Sequence, residues 1–463
     1  MLKTNEEFLE NELTDVMRLF KAEQPVVIHK FLYADGVYKN TFETDGKSYA
    51  FENTMPTNNG VEYKRYAKRF AKLGLYKILS EKYGVRMPWG ALTGIRPTKL
   101  AYTELQAGRT FQPLFADMGV SDENIRLVEG ILRAQNGIYE RKDGNCDLFV
   151  SVPFCPSKCI YCSFITADIR YTRKYLDEYI EKMLYELSAS ADLTENLRSI
   201  YVGGGTPLVL EEPHLKSVLE GLAPFVGKGL EYTVEAGRPD VFTDGKLSLL
   251  KEYGVTRICV NPQTLSDATL ERIGRKHTAK DVYRAYDMAQ NYGFDVNMDF
   301  IAGLTGESYE EFCNSLREAI AMSPDNITVH SLCLKSGAKL KEDCDYLDGG
   351  EISRMISFSR DALHAAGYEP YYMYRQKYQA GNLENTGWTK KGKACIYNVD
   401  VMEETADNLA VGANAVSKKV YTNENRIERY GSPKDFQTYF DKIEDVIAKK
   451  HRLFAGEKRD GEK

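Results

Sequence analysis

Several things are scarce or missing in this 463-residue sequence. No apolar run approaches the roughly 18 residues that a bilayer span requires, so a membrane-crossing chain is not expected. There is no excess of positive charge either: 61 Lys and Arg against 67 Asp and Glu leave a net charge of −6. That balance argues against general nucleic-acid binding, and an anionic ligand would have to be met by local arginines and lysines. The nine cysteines are an odd number and lack the spacing of a disulfide framework. The opening "MLKTNEEFLENEL" has no apolar signal-peptide core, so a reducing, cytoplasmic location is expected. What is plentiful is apolar content, at 43%, enough for a substantial core in two or three domains.

Residues 1–143 read as a small α+β accessory domain. An opening helix over about 6–20 precedes strands punctuated by "ADG" and "TDG", whose Asp-Gly pairs suit tight turns. The helix "YKRYAKRFAKLGLYKILSEKYG" presents Tyr66, Phe70 and Leu73 on one face; its basic residues read as a solvated face, with RNA contact as the rival reading. "WGALTGIRPTKL" places Arg96 and Lys99 beside glycines and a proline, a loop entering a helix and a candidate to face substrate.

Over 144–370 the runs "LFVSV", "SIYVG", "EYTVEA", "RICVN", "FDVNMDFIAG" and "NITVHSLCL" alternate with longer helical stretches. Such alternation predicts parallel strands joined by crossover helices, an α/β fold built as a partial (β/α)6 barrel. Residues 371–463 hold the tract "YYMYRQKYQAGNLENTGW", an expected helix at "DNLAVGANAVSK", and "GEKRDGEK", expected to be disordered. This last region is expected to be an α-rich extension covering the substrate.

Cys155, Cys159 and Cys162 cluster as C-x3-C-x2-C directly after the first of these strands, while the other six cysteines are scattered. A structural zinc site takes four ligands in two short pairs, and no second pair is present. Three unrelated buried cysteines at this spacing would be a coincidence. Thiolates are the usual ligands of iron–sulfur clusters, and three of them on a four-iron cube leave one iron open. "CPSKCIYC" resembles the signature of the radical S-adenosylmethionine (SAM) enzymes. The resemblance implies a [4Fe-4S] cluster on these three cysteines, whose open iron chelates the amino and carboxylate groups of SAM before reductive cleavage to methionine and a 5′-deoxyadenosyl radical.

In parallel barrels functional groups gather at the C-terminal strand ends. The second run ends in Gly203, Gly204, Gly205, Thr206 and Pro207, where missing side chains would let the backbone approach the methionyl part of SAM, or simply permit a tight turn. The third glycine of a dinucleotide fingerprint is absent. Glu235 ends the third run, Gln263 the fourth, Asp299 lies in the fifth, and Arg275 follows Gln263 by twelve residues. Singly each reads as a surface or capping residue. Together they suit a zwitterionic sulfonium nucleoside, with Arg275 on the carboxylate, Glu235 on the ammonium, and Gln263 with Asp299 on the ribose hydroxyls. Tyr161 and Ile301 are placed to pack on adenine.

The succession "VPFCPSKCIYCSF", "YVGGGTP", "VEAGRPD", "VNPQTL", "RIGRKHTAKD" and "NMDFIAGL" resembles the oxygen-independent coproporphyrinogen III dehydrogenase group, with its HemN, HemW and HemZ branches, and its spelling is nearest HemZ. The likeness runs over about 147–420. It implies SAM contacts at Gly204, Gly205, Thr206, Glu235, Gln263, Arg275 and Asp299, with Cys333 where a small residue lies near SAM. It further implies oxidative decarboxylation of two propionates of coproporphyrinogen III to the vinyl groups of protoporphyrinogen IX, fed by a low-potential electron donor of flavodoxin or ferredoxin type. Lys335, Arg375 and Arg96 are the candidate propionate partners. Two departures stand out: Phe149 replaces a tyrosine of the founding enzymes, and Phe164 replaces an additional cysteine that is also missing from the heme-chaperone branch. A heme chaperone is therefore one rival. A radical enzyme that modifies RNA or protein is the other, favoured by the basic helix and opposed by the acidic balance.

Overall fold

Asp35-Gly36 and Asp45-Gly46 each place two consecutive residues at positive φ, 50° and 77°, then 52° and 72°. These are the tight hairpin turns that Asp-Gly favours. They join β2 (Val27–Ala34), β3 (Val37–Thr44) and β4 (Lys47–Thr54) into an antiparallel meander, and β1 (Leu2–Thr4) adds to β2 in parallel. The computed structural model describes the chain apart from residues 21–24, 58–59, 95, 165, 334–337, 341–348, 377–381, 423, 425 and 457–463. Lys335 and the charged tail beyond Gly456 thus lie outside the described residues.

Two compact units make up the chain. The first comprises Met1–Glu129 with Arg375–Leu383. Its opening helix, Glu7–Met17, buries Leu9, Leu13, Val16 and Met17, the spacing of one helical face. The basic helix Gly60–Tyr83 buries Ala67, Ala71, Leu75 and Ile78, while Tyr66, Phe70 and Leu73 are only half-buried beside that stripe. Part of its positive charge is answered within the fold: Lys68 and Lys72 both reach Glu12 at 3.0 Å, and Arg69 lies 3.7 Å from Glu104. Arg96 immediately precedes the helix Pro97–Gln106, and Lys99 lies in its first turns.

Arg375, expected as a propionate partner, is 4% exposed. Its guanidinium donates to the carbonyls of Leu92, Gly94 and Asn382 and lies over the Trp89 ring. It is an internal tie of the first unit, because a buried guanidinium must find acceptors inside the protein.

The second unit, Gly130–Tyr374 with Glu384–Lys463, is built on an eleven-stranded sheet. The six expected runs form β5 (Asn145–Val152), β8 (Asn196–Gly204), β9 (Glu231–Gly237), β10 (Arg257–Val260), β11 (Asp295–Ala302) and β12 (Asn326–Ser331), adjacent in that order and all parallel. They are nearly all buried along their length, as strands covered on both faces must be. Crossover helices Ala279–Asn291 and Tyr309–Met322 open with complete capping boxes, Thr278 with Asp281 and Ser308 with Glu311, which fix where each helix leaves its loop.

From Glu369 onward the chain departs from the expected α-rich extension. Among the described residues it adds three helices and five strands: β13 (Glu369–Tyr374), β14 (Asn385–Thr389), β15 (Asp407–Val411), β16 (Val416–Tyr421) and β17 (Arg426–Gly431). β14 and β13 pair antiparallel beyond β12, and β15 pairs parallel beside β5. The supposed helix "DNLAVGANAVSK" is therefore β15, a turn, and the start of β16. The slot beside β5 buries every residue of Asp407–Val411, and that burial overrides the helix preference of alanine. Among the described residues no pairing joins β13 to β17, so the sheet stays open. None of the described helices is long and apolar enough to cross a membrane.

Candidate functional site

Of the six parallel strands, β10 is buried throughout and the other five are buried, apart from their ends, except at one interior position each. That position is Phe149 in β5, Tyr201 in β8 beyond its first residues, Glu235 in β9, Asp299 in β11 beyond its first residue, and His330 in β12. Side chains alternate faces along a strand, and accessible positions on five strands of one sheet mark the surface of a cleft. The cleft lies toward the C-terminal ends, where the sequence places its candidates.

At its rim is the cysteine loop. β6 (Phe154–Cys155) pairs in parallel with β7 (Ala167–Asp168), so the loop leaves and returns at one base, closed by Ala167 N–H on Pro153 O at 2.7 Å. Within it Cys162 N–H donates to Cys159 O, and Ile160 N–H to Ile273 O, both at 3.2 Å. Burial pushes the Cys155 thiol up, countered in part by the Thr206 hydroxyl, which donates to its sulfur at 3.6 Å, and by the charge of Arg238. Burial also pushes Cys162 up, with Cys159 and Cys155 adding to the effect. The three sulfurs thus lie within electrostatic reach of one another. Among the described residues no group of three or more His, Cys, Asp or Glu side chains is gathered about a single ion; a four-iron cube asks for wider-set thiolates than one ion does.

Gly204, Gly205 and Thr206 run alongside this loop. Gly205 N–H donates to Val152 O at 3.0 Å and Thr206 N–H to Phe154 O at 2.7 Å. The structure adds a packing reason for glycine. A Cβ on Gly205 would stand 2.5 Å from Phe154 O, and one on Gly204, at φ 98°, 2.9 Å from Ser151 Oγ. What requires the bare Gly205 backbone is close packing against the strand that carries Cys155. Gly205→Ala is accordingly expected to cost about 1–3 kcal/mol, the usual range for overpacking, and to lower the iron retained after anaerobic reconstitution; denaturant unfolding and iron content measure the two effects.

Gln263 sits at φ 70°, a region that non-glycine residues seldom occupy outside constrained sites. Its N–H donates to Asp299 O at 2.9 Å and its carbonyl accepts from Ile301 N–H at 3.1 Å, which brings Gln263, Asp299 and Ile301 together. Ile301 and Tyr161 belong to one apolar cluster with Leu270, Ile273 and Leu332. Arg275, 8% exposed, donates from Nη2 to the Tyr161 hydroxyl at 2.9 Å and from Nη1 to Asn261 O. Cys333 follows the end of β12 and is half-buried.

Glu235 accepts from the Tyr201 hydroxyl and from Asn261 Nδ2, the latter at 2.9 Å. Burial, with the Asp299 charge adding, pushes its carboxyl up to about 7 against the pull of these hydrogen bonds. Burial acts on Asp299 in the same sense, but His330, whose Nε2 lies 3.8 Å away, and Asn297, donating at 2.8 Å, outweigh it and hold Asp299 below its usual value.

Tyr201, Asn261 and His330 were absent from the sequence-derived set. Alternation along β8 and β12 puts Tyr201 and His330 on the same face as other site positions, while Asn261 lies just past the end of β10, where no pattern marks it. Two atoms at the site are buried without a partner, the Arg275 Nε donor and the Asn261 Oδ1 acceptor. Together with the Glu235 carboxylate they fit a ligand bearing both an ammonium and a carboxylate, as the amino-acid end of SAM does.

A core of six parallel strands with a three-cysteine loop after the first of them is the arrangement of the radical SAM class, and the profile of the radical SAM superfamily matches residues 149–319. The chain is 35% identical to the oxygen-independent coproporphyrinogen-III oxidase-like protein HemZ of Bacillus subtilis over 386 residues, 79% of this chain and 77% of that one. It belongs to the radical SAM superfamily, in the group that unites HemZ, HemN and HemW. It is also 32% identical to the heme chaperone HemW of B. subtilis over 193 residues, 40% of this chain and 50% of that one. The solved structure of coproporphyrinogen III oxidase (HemN) from Escherichia coli shares its fold, with a TM-score of 0.53 at 18% identity over 68% of this chain and 72% of that one. A [4Fe-4S] cluster and SAM are the cofactors of this family and of this chain.

Proposed function

We propose that the protein is an oxygen-independent coproporphyrinogen III dehydrogenase acting in heme biosynthesis in the cytoplasm. The observation that carries the proposal is the row of accessible positions crossing five adjacent or near-adjacent strands beside the cysteine loop, joined to the likeness to a coproporphyrinogen-III oxidase-like protein over most of both chains.

Cys155, Cys159 and Cys162 hold the cluster. Bound there together, cluster and SAM would supply one-electron, hydrogen-abstracting radical chemistry. The chain's own part is to bind and orient. Arg275, through its unpartnered Nε, and the Gly204, Gly205 and Thr206 segment take the amino-acid end. Glu235 receives the ammonium, Gln263 and Asp299 hold the ribose, Tyr161 and Ile301 pack on adenine, and Cys333 leaves room beside it. For each propionate of the porphyrinogen, one hydrogen atom leaves the β-carbon, one electron is removed and carbon dioxide departs, leaving a vinyl group. A low-potential donor and a terminal electron acceptor complete the balance.

The test is anaerobic reconstitution with reductant, SAM and coproporphyrinogen III, following protoporphyrinogen and 5′-deoxyadenosine together. Paired formation of both products is expected. Cleavage of SAM with the porphyrinogen untouched would overturn the proposal. One observation favours a second reading: Phe164, at the position of the missing cysteine, is 65% exposed, and the heme chaperone HemW is among the relatives. Stoichiometric heme binding without turnover would establish that reading instead.

The ammonium role of Glu235 predicts a pH dependence. A carboxyl titrating near 7 must lose its proton to hold a cation, so SAM affinity should be flat above pH 7 and fall by up to about tenfold per unit below it. Glu235→Gln should bind weakly at every pH. Equilibrium dialysis with labelled SAM from pH 5.5 to 8.5 measures both, and identical profiles for the two proteins would remove Glu235 from the site.

A further inference from the structure

Two of the stretches quoted above, "GRPD" at 237–240 and "RKHT" at 275–278, carry charged residues that the SAM site leaves unused. They meet beside the cysteine loop. Arg238 follows the end of β9 and is 3% exposed. It forks onto Asp240, Nε to Oδ1 at 3.0 Å and Nη2 to Oδ2 at 2.8 Å, and its Nη1 donates to Ser157 Oγ at 2.6 Å. Ser157 lies between Cys155 and Cys159. On the far side His277, also 3% exposed, brings Nδ1 to 3.7 Å from Asp240.

The charges in this strut can be assigned. Burial alone would push the Asp240 carboxyl up, but His277 and Arg238 hold it well below the usual range. Burial, helped by Arg275 and Arg238, pushes His277 down. The strut is therefore an ion pair between a buried Arg238, its cationic end toward the cysteines, and an Asp240 on the far side that is partly open to solvent. The Arg238 nitrogens are engaged at all three positions, whereas Arg275 keeps an unpartnered Nε. Arg238 is thus directed at the loop and not at a ligand.

We infer that Arg238, gripped by Asp240, is a positioning residue for the cluster: it fixes the Cys155–Cys159 turn through Ser157 and sets a buried positive charge beside the thiolates, which raises the reduction potential of the bound cluster. The inference rests on the assignment of Cys155, Cys159 and Cys162 as cluster ligands. Its physics is general, since the reduced cluster is the more negative state and cluster potentials follow local charge and hydrogen bonding.

The test uses the full chain reconstituted without oxygen and without SAM, its midpoint potential read by an EPR-monitored redox titration. Arg238→Gln should make the cluster harder to reduce by about tenfold in the equilibrium, about 59 mV for a one-electron couple. Asp240→Asn, which leaves the guanidinium uncompensated, should shift the potential the opposite way. Arg238→Lys should stay near the parent, and Ser157→Ala should keep the potential but lose iron faster to a chelator. Equal potentials in all of these, or shifts of one sign in Arg238→Gln and Asp240→Asn, would overturn the inference. If Arg238→Gln does not fold, the upward shift in Asp240→Asn still decides it. A cluster retained by Cys159→Ala would instead overturn the ligand assignment beneath it.

Discussion

Cys159→Ala is expected to give a folded protein that has lost its iron–sulfur absorption and all SAM cleavage. The side chain is 8% exposed, yet it sits in a loop whose backbone ties, Cys162 N–H to Cys159 O and Ile160 N–H to Ile273 O, do not involve the sulfur. Alanine can keep that backbone. What it cannot supply is the third thiolate, and a site with two cannot hold the cube with one iron open. Arg275 would retain its bonds to Tyr161 and Asn261. The matched control is Cys313→Ala, a buried cysteine in the helix Tyr309–Met322, which should keep the full spectrum. Anaerobic absorption spectroscopy, iron content and 5′-deoxyadenosine formation measure the difference. An unchanged spectrum in Cys159→Ala would refute the ligand assignment.

The parallel core was legible because its evidence is local. Six apolar runs at regular intervals, each buried on two faces, announce themselves by composition, and the structure has all six in chain order. The cysteine loop was equally legible, since its spacing is short and unusual. The C-terminal strands were not. "DNLAVGANAVSK" has helix-compatible composition, and only the vacant edge of β5, more than 250 residues earlier, makes Asp407–Val411 a strand. Arg375 failed for a related reason, as its acceptors Leu92 and Gly94 lie far away in sequence. The packing constraint on Gly205 was not legible, because the Phe154 carbonyl that forbids a Cβ is a tertiary neighbour. Tyr201 and His330 were visible in principle from the alternation of inward positions, but polar side chains within apolar strands give no sign of which one faces a cleft.

Lys450→Met should be the most damaging single substitution away from the cleft, lowering stability by about 3–5 kcal/mol, the range for removing one partner of a buried ion pair. Lys450 and Glu186 are both fully buried and paired. Glu186 also accepts from the Tyr439 hydroxyl and from Gly412 N–H, the latter at 2.8 Å. Without the ammonium these donors remain, but the carboxylate keeps its charge in a site closed to water. The double variant Lys450→Met with Glu186→Leu should recover part of the loss, because two apolar groups leave no unpaired charge. The damage should also reach the cofactor site. Gly412 and Ala413 follow the end of β15, and Ala413 O accepts from Ser151 Oγ at 3.0 Å while Tyr179 bonds both Ser151 O and Ala413 N–H. Ser151 stands four residues before Cys155. Loosening the helix Ile443–Ala455 therefore frees the strand end from which the cysteine loop springs, and iron loss to a chelator should accelerate in Lys450→Met and slow again in the double variant. Denaturant unfolding of the parent, both single variants and the double gives the coupling energy; a coupling near zero would show that the pair contributes nothing to holding that edge.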